Sequence, residues 1–138
     1  MSSRISYRVA EAVHAASIRV LRIVRAEDTL TRIGPAQLSA LSVLVFLGPR
    51  TMGELAKVEQ VKPPTMSRIV DGLVREGLAE RTAGSDRRSL RIAARARGRA
   101  LLLAARNRRV RALAKRVERL TPTDLKTLQR AAELLAEI

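Results

Sequence analysis

The sequence predicts a mainly α-helical chain that is interrupted by one small β-hairpin. Apolar residues recur at 3- and 4-residue steps along most of its 138 residues, a spacing typical of amphipathic helices. Only the stretch after Gly77 changes to two short segments around a Gly-containing turn. The chain is 46% hydrophobic, which is enough for a folded core and excludes a disordered basic tail.

The first two predicted helices lie on either side of Gly34. The first covers about Arg4 to Arg25 and carries an apolar stripe made of Val9, Val13, Ala16, Val20 and Val24. The second begins at Pro35, a residue that suits a first helical turn, and ends at Gly48. Its apolar side consists of Leu38, Leu41, Leu44 and Val45.

Two short helices follow, separated by a brief turn at residues 59–62. Thr51 and Glu54 have the spacing of a capping box and open the third helix, whose buried candidates are Leu55, Ala56 and Val58. Pro63 opens the fourth helix, which runs to about Glu76 with an apolar face of Met66, Ile69, Val70 and Leu73. Gly77 is well placed just past its end.

The hairpin and two further helices complete the predicted fold. Residues 78–82 and 89–92 read as strands around the turn at 84–88, and such a hairpin needs support from the helices because two strands alone are barely stable. A long helix starts near Ala96 with a coiled-coil-like seam of Leu103, Val110, Leu113, Val117 and Leu120. Thr121 and Pro122 open the last helix, which carries Leu125, Leu128, Ala132 and Leu135.

The charge points to a polyanionic partner. Lys and Arg number 27 against 13 acids, a net charge of +14. Tyr7 and Phe46 are the only aromatic residues, so base stacking on aromatic platforms and an aromatic-rich membrane-binding face are both disfavoured. The longest apolar run, 38–48, is too short to cross a bilayer. These observations favour double-stranded DNA as the partner and no membrane.

Catalysis, cofactors and metal ions find no support in the sequence. Cysteine is absent, His14 is the single histidine, and no Gly-rich phosphate loop or zinc-ligand spacing occurs. We therefore expect a protein that is not an enzyme. The lack of cysteine fits a cytoplasmic location.

Two short helices joined by a turn and followed by a hairpin predict a winged helix-turn-helix. The second helix of such a pair lies in the major groove, and an arginine near its start can donate two hydrogen bonds to a guanine edge. Because the apolar face of the fourth helix points inward, its outer side chains become the candidate DNA contacts. Together with Lys62, these are Pro64, Thr65, Ser67, Arg68 and Arg75.

Residues 52–99 resemble the DNA-binding module of the MarR family of bacterial transcriptional regulators. The motifs that carry the resemblance are ELA in the third helix, PPTMSRIVDGLVREGL through the fourth, and SDRRS with the following RG at the wing. The resemblance implies a homodimer with interleaved terminal helices. It divides the chain into an N-terminal dimerisation helix (1–33), a winged helix-turn-helix domain (34–95) and C-terminal dimerisation helices (96–138).

The resemblance also implies roles for the wing and for a ligand. Arg88 would enter the minor groove, and Asp86 would help to fix the wing. Arg87, between them, is a further candidate DNA contact. Many members release DNA when a small phenolic or lipophilic anion binds between the dimerisation helices and the winged domain. Residues that would border such a pocket are Tyr7, Arg8, His14 and Phe46. The chain departs from the family's pattern at three positions. Gln60 stands where Gly is common, Lys62 where Ser or Thr is common, and Arg95 where Thr is common.

Two functions remain open from the sequence. The first is a homodimeric transcriptional regulator, most often a repressor, that reads a pseudo-palindrome with half-sites about one helical turn apart. The second is an architectural protein that binds DNA with weak sequence preference, because phosphate contacts raise affinity for any sequence. The ratio of specific to non-specific affinity distinguishes the two.

Replacing Asp86 with Ala should weaken DNA binding. We expect the carboxylate to pre-align the neighbouring guanidinium groups, so its loss should increase the entropy that they lose on DNA. Simple charge counting predicts the opposite, because the substitution removes a negative charge from a DNA-facing loop. A titration of labelled duplex with both proteins separates the two outcomes, and tighter binding by the variant would refute the assigned role.

Overall fold

A computed structural model describes residues 2–84 and 90–138 of the chain. Within this part the fold has six α-helices, one 3₁₀ turn at Asp28–Leu30 and three short strands. The helices are α1 (Ser2–Glu27), α2 (Pro35–Leu47), α3 (Met52–Val58), α4 (Pro63–Arg75), α5 (Ala96–Val117) and α6 (Pro122–Leu135). The strands are β1 (Arg50–Thr51), β2 (Ala79–Ala83) and β3 (Leu90–Ala94). The six predicted helices and both predicted strands are confirmed within the described residues, while Ser89 and turn positions 85–88 lie outside them.

The chain forms two compact units, and α5 contributes to both. Residues 28–106 form one unit, called here the winged unit. Residues 1–27 and 107–138 form the other, called here the terminal unit. No single helix of the described residues is long and apolar enough to cross a membrane, and only α1 and α2 taken together reach such a length and composition.

The winged unit contains the hydrophobic core. Helix α2 is buried on most sides, and the buried residues include the whole predicted apolar side. The surrounding elements each contribute a few side chains to the same core. The buried residues are Ile33, Leu38, Ala40, Leu41, Val43, Leu44 and Val45 around α2; Leu55 and Ala56 from α3; Met66, Val70 and Leu73 from α4; Leu78, Ala79 and Ile92 from the sheet; and Leu102 and Ala105 from α5. Ile69 of α4 packs against this core but is only partly buried.

The prediction that Val58 is buried is wrong. Its side chain is 48% exposed. α3 has only seven residues, and Leu55 and Ala56 occupy the side that meets the core. Val58 is the last residue of the helix and points away from that side.

The wing is a three-stranded sheet, which corrects the prediction of a two-stranded hairpin. The strands are antiparallel in the order β1-β3-β2. β1 pairs Arg50 with Ile92 and Thr51 with Arg91, whereas β2 pairs five residues, from Ala79 with Ala94 to Ala83 with Leu90. The additional strand and the burial of Ile92 supply the support that an isolated hairpin lacks.

Helix caps follow the sequence closely. Glu54 N–H donates to Thr51 Oγ1 at 3.2 Å and Thr51 N–H donates to the Glu54 carboxylate at 3.4 Å, which confirms the capping box. Asp124 N–H donates to Thr121 Oγ1 at 3.1 Å at the start of α6. Lys62 caps α4 without a side-chain hydrogen bond, and Pro63 supplies the first helical position.

α3 and α4 end with the same backbone motif. At the end of α4, Gly77 N–H donates to Val74 O at 3.0 Å and Leu78 N–H donates to Leu73 O at 2.9 Å. At the end of α3, Gln60 and Val61 make the equivalent bonds to Lys57 O (3.2 Å) and Ala56 O (3.0 Å). This Schellman motif places one residue in the left-handed region: Gly77 at φ 72° and Gln60 at φ 55°.

A close approach between α5 and the sheet requires Gly98. A Cβ atom at this position would lie 2.1 Å from the carbonyl oxygen of Leu78 and 3.0 Å from Leu41 Cδ1. The same carbonyl accepts a hydrogen bond from Arg95 N–H at 2.9 Å, so it is fixed at the start of α5. Gly98 therefore allows α5 to pack directly on the backbone that follows α4.

The terminal unit has a different character. None of its described residues is buried in the isolated chain. Large apolar side chains are instead exposed on all three of its helices, including Ile5, Val9, Ile18, Val20 and Leu21 of α1, Val110 of α5, and Leu125, Leu128, Leu134 and Leu135 of α6. Val9 and Val20 belong to the predicted apolar stripe, and Val110 belongs to the predicted seam.

Substituting Gly98 with Ala should lower the free energy of unfolding by more than about 2 kcal/mol, because a buried methyl group would overlap a fixed carbonyl. Gly53→Ala is the matched control, since nothing lies within 4 Å of a Cβ built on this exposed helical glycine. We expect Gly53→Ala to be neutral or stabilising by up to about 1 kcal/mol. Urea denaturation measures both, and equal effects would contradict the packing described for α5.

Gln60→Gly should raise the free energy of unfolding by about 0.5–1 kcal/mol. The substitution removes the cost of a Cβ in the left-handed region, which exceeds the added freedom of glycine in the unfolded chain. Gly77→Gln makes the reverse change in the same motif and should destabilise by about 1 kcal/mol. Loss of stability in Gln60→Gly would mean that the Gln60 side chain stabilises the fold.

Candidate nucleic-acid interface

The outer face of α4 is the main candidate surface for DNA. With Met66, Val70 and Leu73 fully buried, the helix presents its opposite side to solvent. Arg68 lies on that side and is exposed, and Arg75 follows it by seven residues on the same face. These two guanidinium groups are therefore carried about 10 Å apart along the helix axis.

The remaining sequence-predicted residues of this surface lie around the start of α4. Lys62, Pro64 and Thr65 are exposed, whereas Ser67 is half-buried on the flank of the helix. All six candidates from the helix-turn-helix therefore lie on α4 or at its N-cap. The predicted wing residues Asp86, Arg87 and Arg88 lie outside the described residues.

An acid on the outer face of α4 is held by the wing. Asp71 lies three residues after Arg68 and four before Arg75, so it shares their face. Arg81 of β2 donates a hydrogen bond to the Asp71 carboxylate. The ion pair connects α4 to the first long strand of the wing, and both side chains remain partly exposed, at 50% for Asp71 and 37% for Arg81.

Sequence reasoning did not find this ion pair. The 3- and 4-residue steps of α4 place Asp71 beside the two arginines, so the sequence alone predicts that these three residues share one face. Its partner is ten residues further along the chain and on a strand, so only the packing of β2 beside α4 identifies Arg81. Strand β2 takes part in a second ion pair, in which Arg95 Nε lies 3.9 Å from Glu80 Oε2.

Basic residues continue from the sheet into α5. Ten Lys or Arg and one acid occupy residues 95–119. Arg95, Arg97 and Arg99 are exposed at the start of α5 and belong to the winged unit. They extend the positive surface beyond α4, and such charge strengthens binding to any DNA sequence.

The four candidate ligand residues occupy both units. Tyr7, Arg8 and His14 are exposed on α1, in the terminal unit, and Tyr7 is 67% exposed. Phe46 is 61% exposed near the end of α2, in the winged unit.

Among the described residues no group of three or more His, Asp or Glu side chains forms a potential metal site.

The buried core, the exposed α4 and the three-stranded sheet define a winged helix-turn-helix protein. Solved structures share this fold over nearly the whole chain. A MarR family protein from Bacillus stearothermophilus superposes with a TM-score of 0.84 at 24% identity, covering 99% of this chain and 96% of its own. A crystal structure from Mycobacterium tuberculosis gives 0.83 at 28% identity, covering 94% and 90%.

The chain belongs to the MarR family of transcriptional regulators. The MarR family model matches residues 29–89. A protein described as an uncharacterised HTH-type transcriptional regulator of Mycobacterium bovis is 33% identical over 129 residues, which covers 93% of this chain and 90% of that protein. The family assignment confirms the resemblance carried by the motifs between residues 52 and 99, and with it a role in DNA-binding regulation.

The Asp71–Arg81 ion pair should contribute little to stability. Because both groups are partly solvated, a double-mutant cycle with Asp71→Asn and Arg81→Gln should give a coupling energy below about 1 kcal/mol that falls as salt is added. The Arg130–Glu133 pair within α6, at 3.1 Å, is a matched surface control with an expected coupling of about 0.3–0.5 kcal/mol. A salt-insensitive coupling of several kcal/mol would contradict the surface character of the Asp71 pair.

Proposed function

We propose that the protein is a homodimeric transcriptional repressor that reads a pseudo-palindromic DNA site through α4 and the wing. The proposal rests on the outer face of α4, where the exposed Arg68 lies in the second turn of a helix whose inner face is buried. In this fold such a helix enters the major groove. Arg68 would then donate to a guanine edge, with Lys62, Thr65 and Ser67 on neighbouring phosphates or bases.

The wing is proposed to bind the adjacent minor groove. Asp86, Arg87 and Arg88 connect β2 and β3, whose last register pair is Ala83 with Leu90. A narrow minor groove has a strong negative potential that attracts arginine. Arg88 would enter this groove, Arg87 would contact its edge, and Asp86 would limit the conformations of both arginines before binding.

Dimerisation is proposed to occur through the terminal unit. Its described residues contain no buried side chain, although α1 and α6 each expose several large apolar residues and its part of α5 exposes Val110. Exposed apolar surface of this extent marks a protein–protein interface. A second copy of the chain would cover it and place two copies of α4 on successive half-sites, which explains why a pseudo-palindrome is expected.

A small phenolic or lipophilic anion is proposed to release the protein from DNA. Tyr7, Arg8 and His14 on α1 offer an aromatic ring with cationic and hydrogen-bonding groups, and Phe46 is the other aromatic candidate. All four side chains are exposed in the single chain. Titrating phenolic acids against the DNA complex tests this part, and unchanged affinity would remove this ligand class.

An architectural protein is the second candidate, because a net charge of +14 supports binding to any sequence. A selection from fragmented genomic DNA at physiological salt separates the two functions. A specific repressor enriches an inverted repeat with half-sites about one helical turn apart. Broad retention without a motif would replace the repressor by the architectural protein.

Arg68→Ala should lower affinity for the selected site by about 1–3 kcal/mol and relax the preference at one position of each half-site. Arg4→Ala removes the same charge from the exposed start of α1 and is the matched control. Competition binding with the selected duplex and single-base variants measures both effects. Equal losses in the two variants would show that Arg68 acts only through its charge.

A further inference from the structure

Gln60 occupies a backbone conformation that its side chain makes unfavourable. Among the described residues it is the one non-glycine residue with a positive φ, at 55°. The equivalent position at the end of α4 is Gly77, with φ 72° and the same pair of closing hydrogen bonds. Glycine satisfies this motif without strain, so the fold itself gives no reason for a glutamine at this turn.

The Gln60 side chain does not compensate for this strain inside the described chain. It is exposed and makes no hydrogen bond or ion pair with another described residue. The residues around it are firmly placed, because Ala56 is buried, Val61 packs against the core and both take part in the closing hydrogen bond. The backbone therefore fixes the origin of a polar side chain that is directed to solvent.

Gln60 lies close to the proposed DNA surface. It precedes Lys62, the N-cap of α4, by two residues, and α4 then presents Thr65 and Arg68 on its outer side. A primary amide both donates and accepts hydrogen bonds. It matches the N6 and N7 atoms that adenine presents in the major groove.

We propose that Gln60 is a specificity-determining residue that hydrogen-bonds an adenine edge next to the bases read by α4. This inference rests on the proposed function and deepens it, since it adds a reading position outside the recognition helix. In this proposal, the strained left-handed conformation of Gln60 has a function, because the motif that closes α3 holds the amide at the major groove. Replacement of Gln60 by Gly should therefore stabilise the fold and impair site selection at the same time.

Two variants separate the amide from the backbone. Gln60→Gly removes both the amide and the backbone strain, whereas Gln60→Ala removes the amide and keeps a Cβ in the left-handed region. We expect both to lose affinity for the selected duplex by about five- to a hundredfold, the range for a lost bidentate base contact. Only Gln60→Gly should gain thermal stability.

The selection from genomic fragments, repeated with each variant, provides the second readout. Both variants should lose the preference for A·T at one position of each half-site and keep the preference that depends on Arg68. Unchanged affinity in both variants would overturn the inference. So would a loss confined to one variant, which would trace the effect to the backbone, or a loss that is uniform over all sequences, which would indicate a phosphate contact.

The wild-type result distinguishes failure of this inference from failure of the proposed function. If the wild-type protein enriches no motif, the specific regulator itself is refuted, and Gln60 cannot determine specificity. If the wild-type protein enriches an inverted repeat and the Gln60 variants read it unchanged, only the role of Gln60 is refuted.

Discussion

Met66, Val70 and Leu73 are fully buried beneath α4, and their packing fixes how this helix is presented. Because these three side chains point into the core, the helix cannot rotate about its axis, and Arg68 and Arg75 are held on the opposite side. The same packing leads the chain through Gly77 into Leu78, whose carbonyl receives the start of α5. The position of the sheet beside α4, and hence the Asp71–Arg81 pair, follows from this arrangement.

The two units use apolar residues in opposite ways. The winged unit contains every buried residue of the described chain and forms a compact unit with its own hydrophobic core. The terminal unit places comparable apolar side chains on its surface. Because each chain has a net charge of +14, two copies repel each other as they approach. In the proposed dimer, burial of these apolar side chains is the interaction that offsets the repulsion.

Local signals explain how much the sequence could predict. The capping box at Thr51, the proline at the start of α4 and Gly77 past its end each depend on a few neighbouring residues, and all three were readable. Strand β1 was not, because it has two residues and is defined by pairing with residues about 40 positions away. Val58 was misplaced for a related reason, since periodicity identifies an apolar residue but not where a short helix leaves the core.

The candidate site divides in the same manner. The outer residues of α4 follow from helical periodicity once the inner face is known, so the sequence predicts the exposure of Thr65 and Arg68 that the structure has. The link from Asp71 to Arg81 depends on tertiary packing and was missed. Gln60 lies between these cases, because the sequence shows a glutamine in the turn but only the backbone reveals its left-handed conformation.

In the proposed function, a fixed α4 recognises sequence, and positive charge alone does not hold the protein on DNA. The most direct measurement is affinity for a selected duplex and for a scrambled duplex of equal length, across a series of salt concentrations. Both affinities should fall with salt, while the selected duplex stays tighter by about a thousandfold or more. A ratio close to one at every salt concentration would contradict the claim and leave the positive charge as the whole basis of binding.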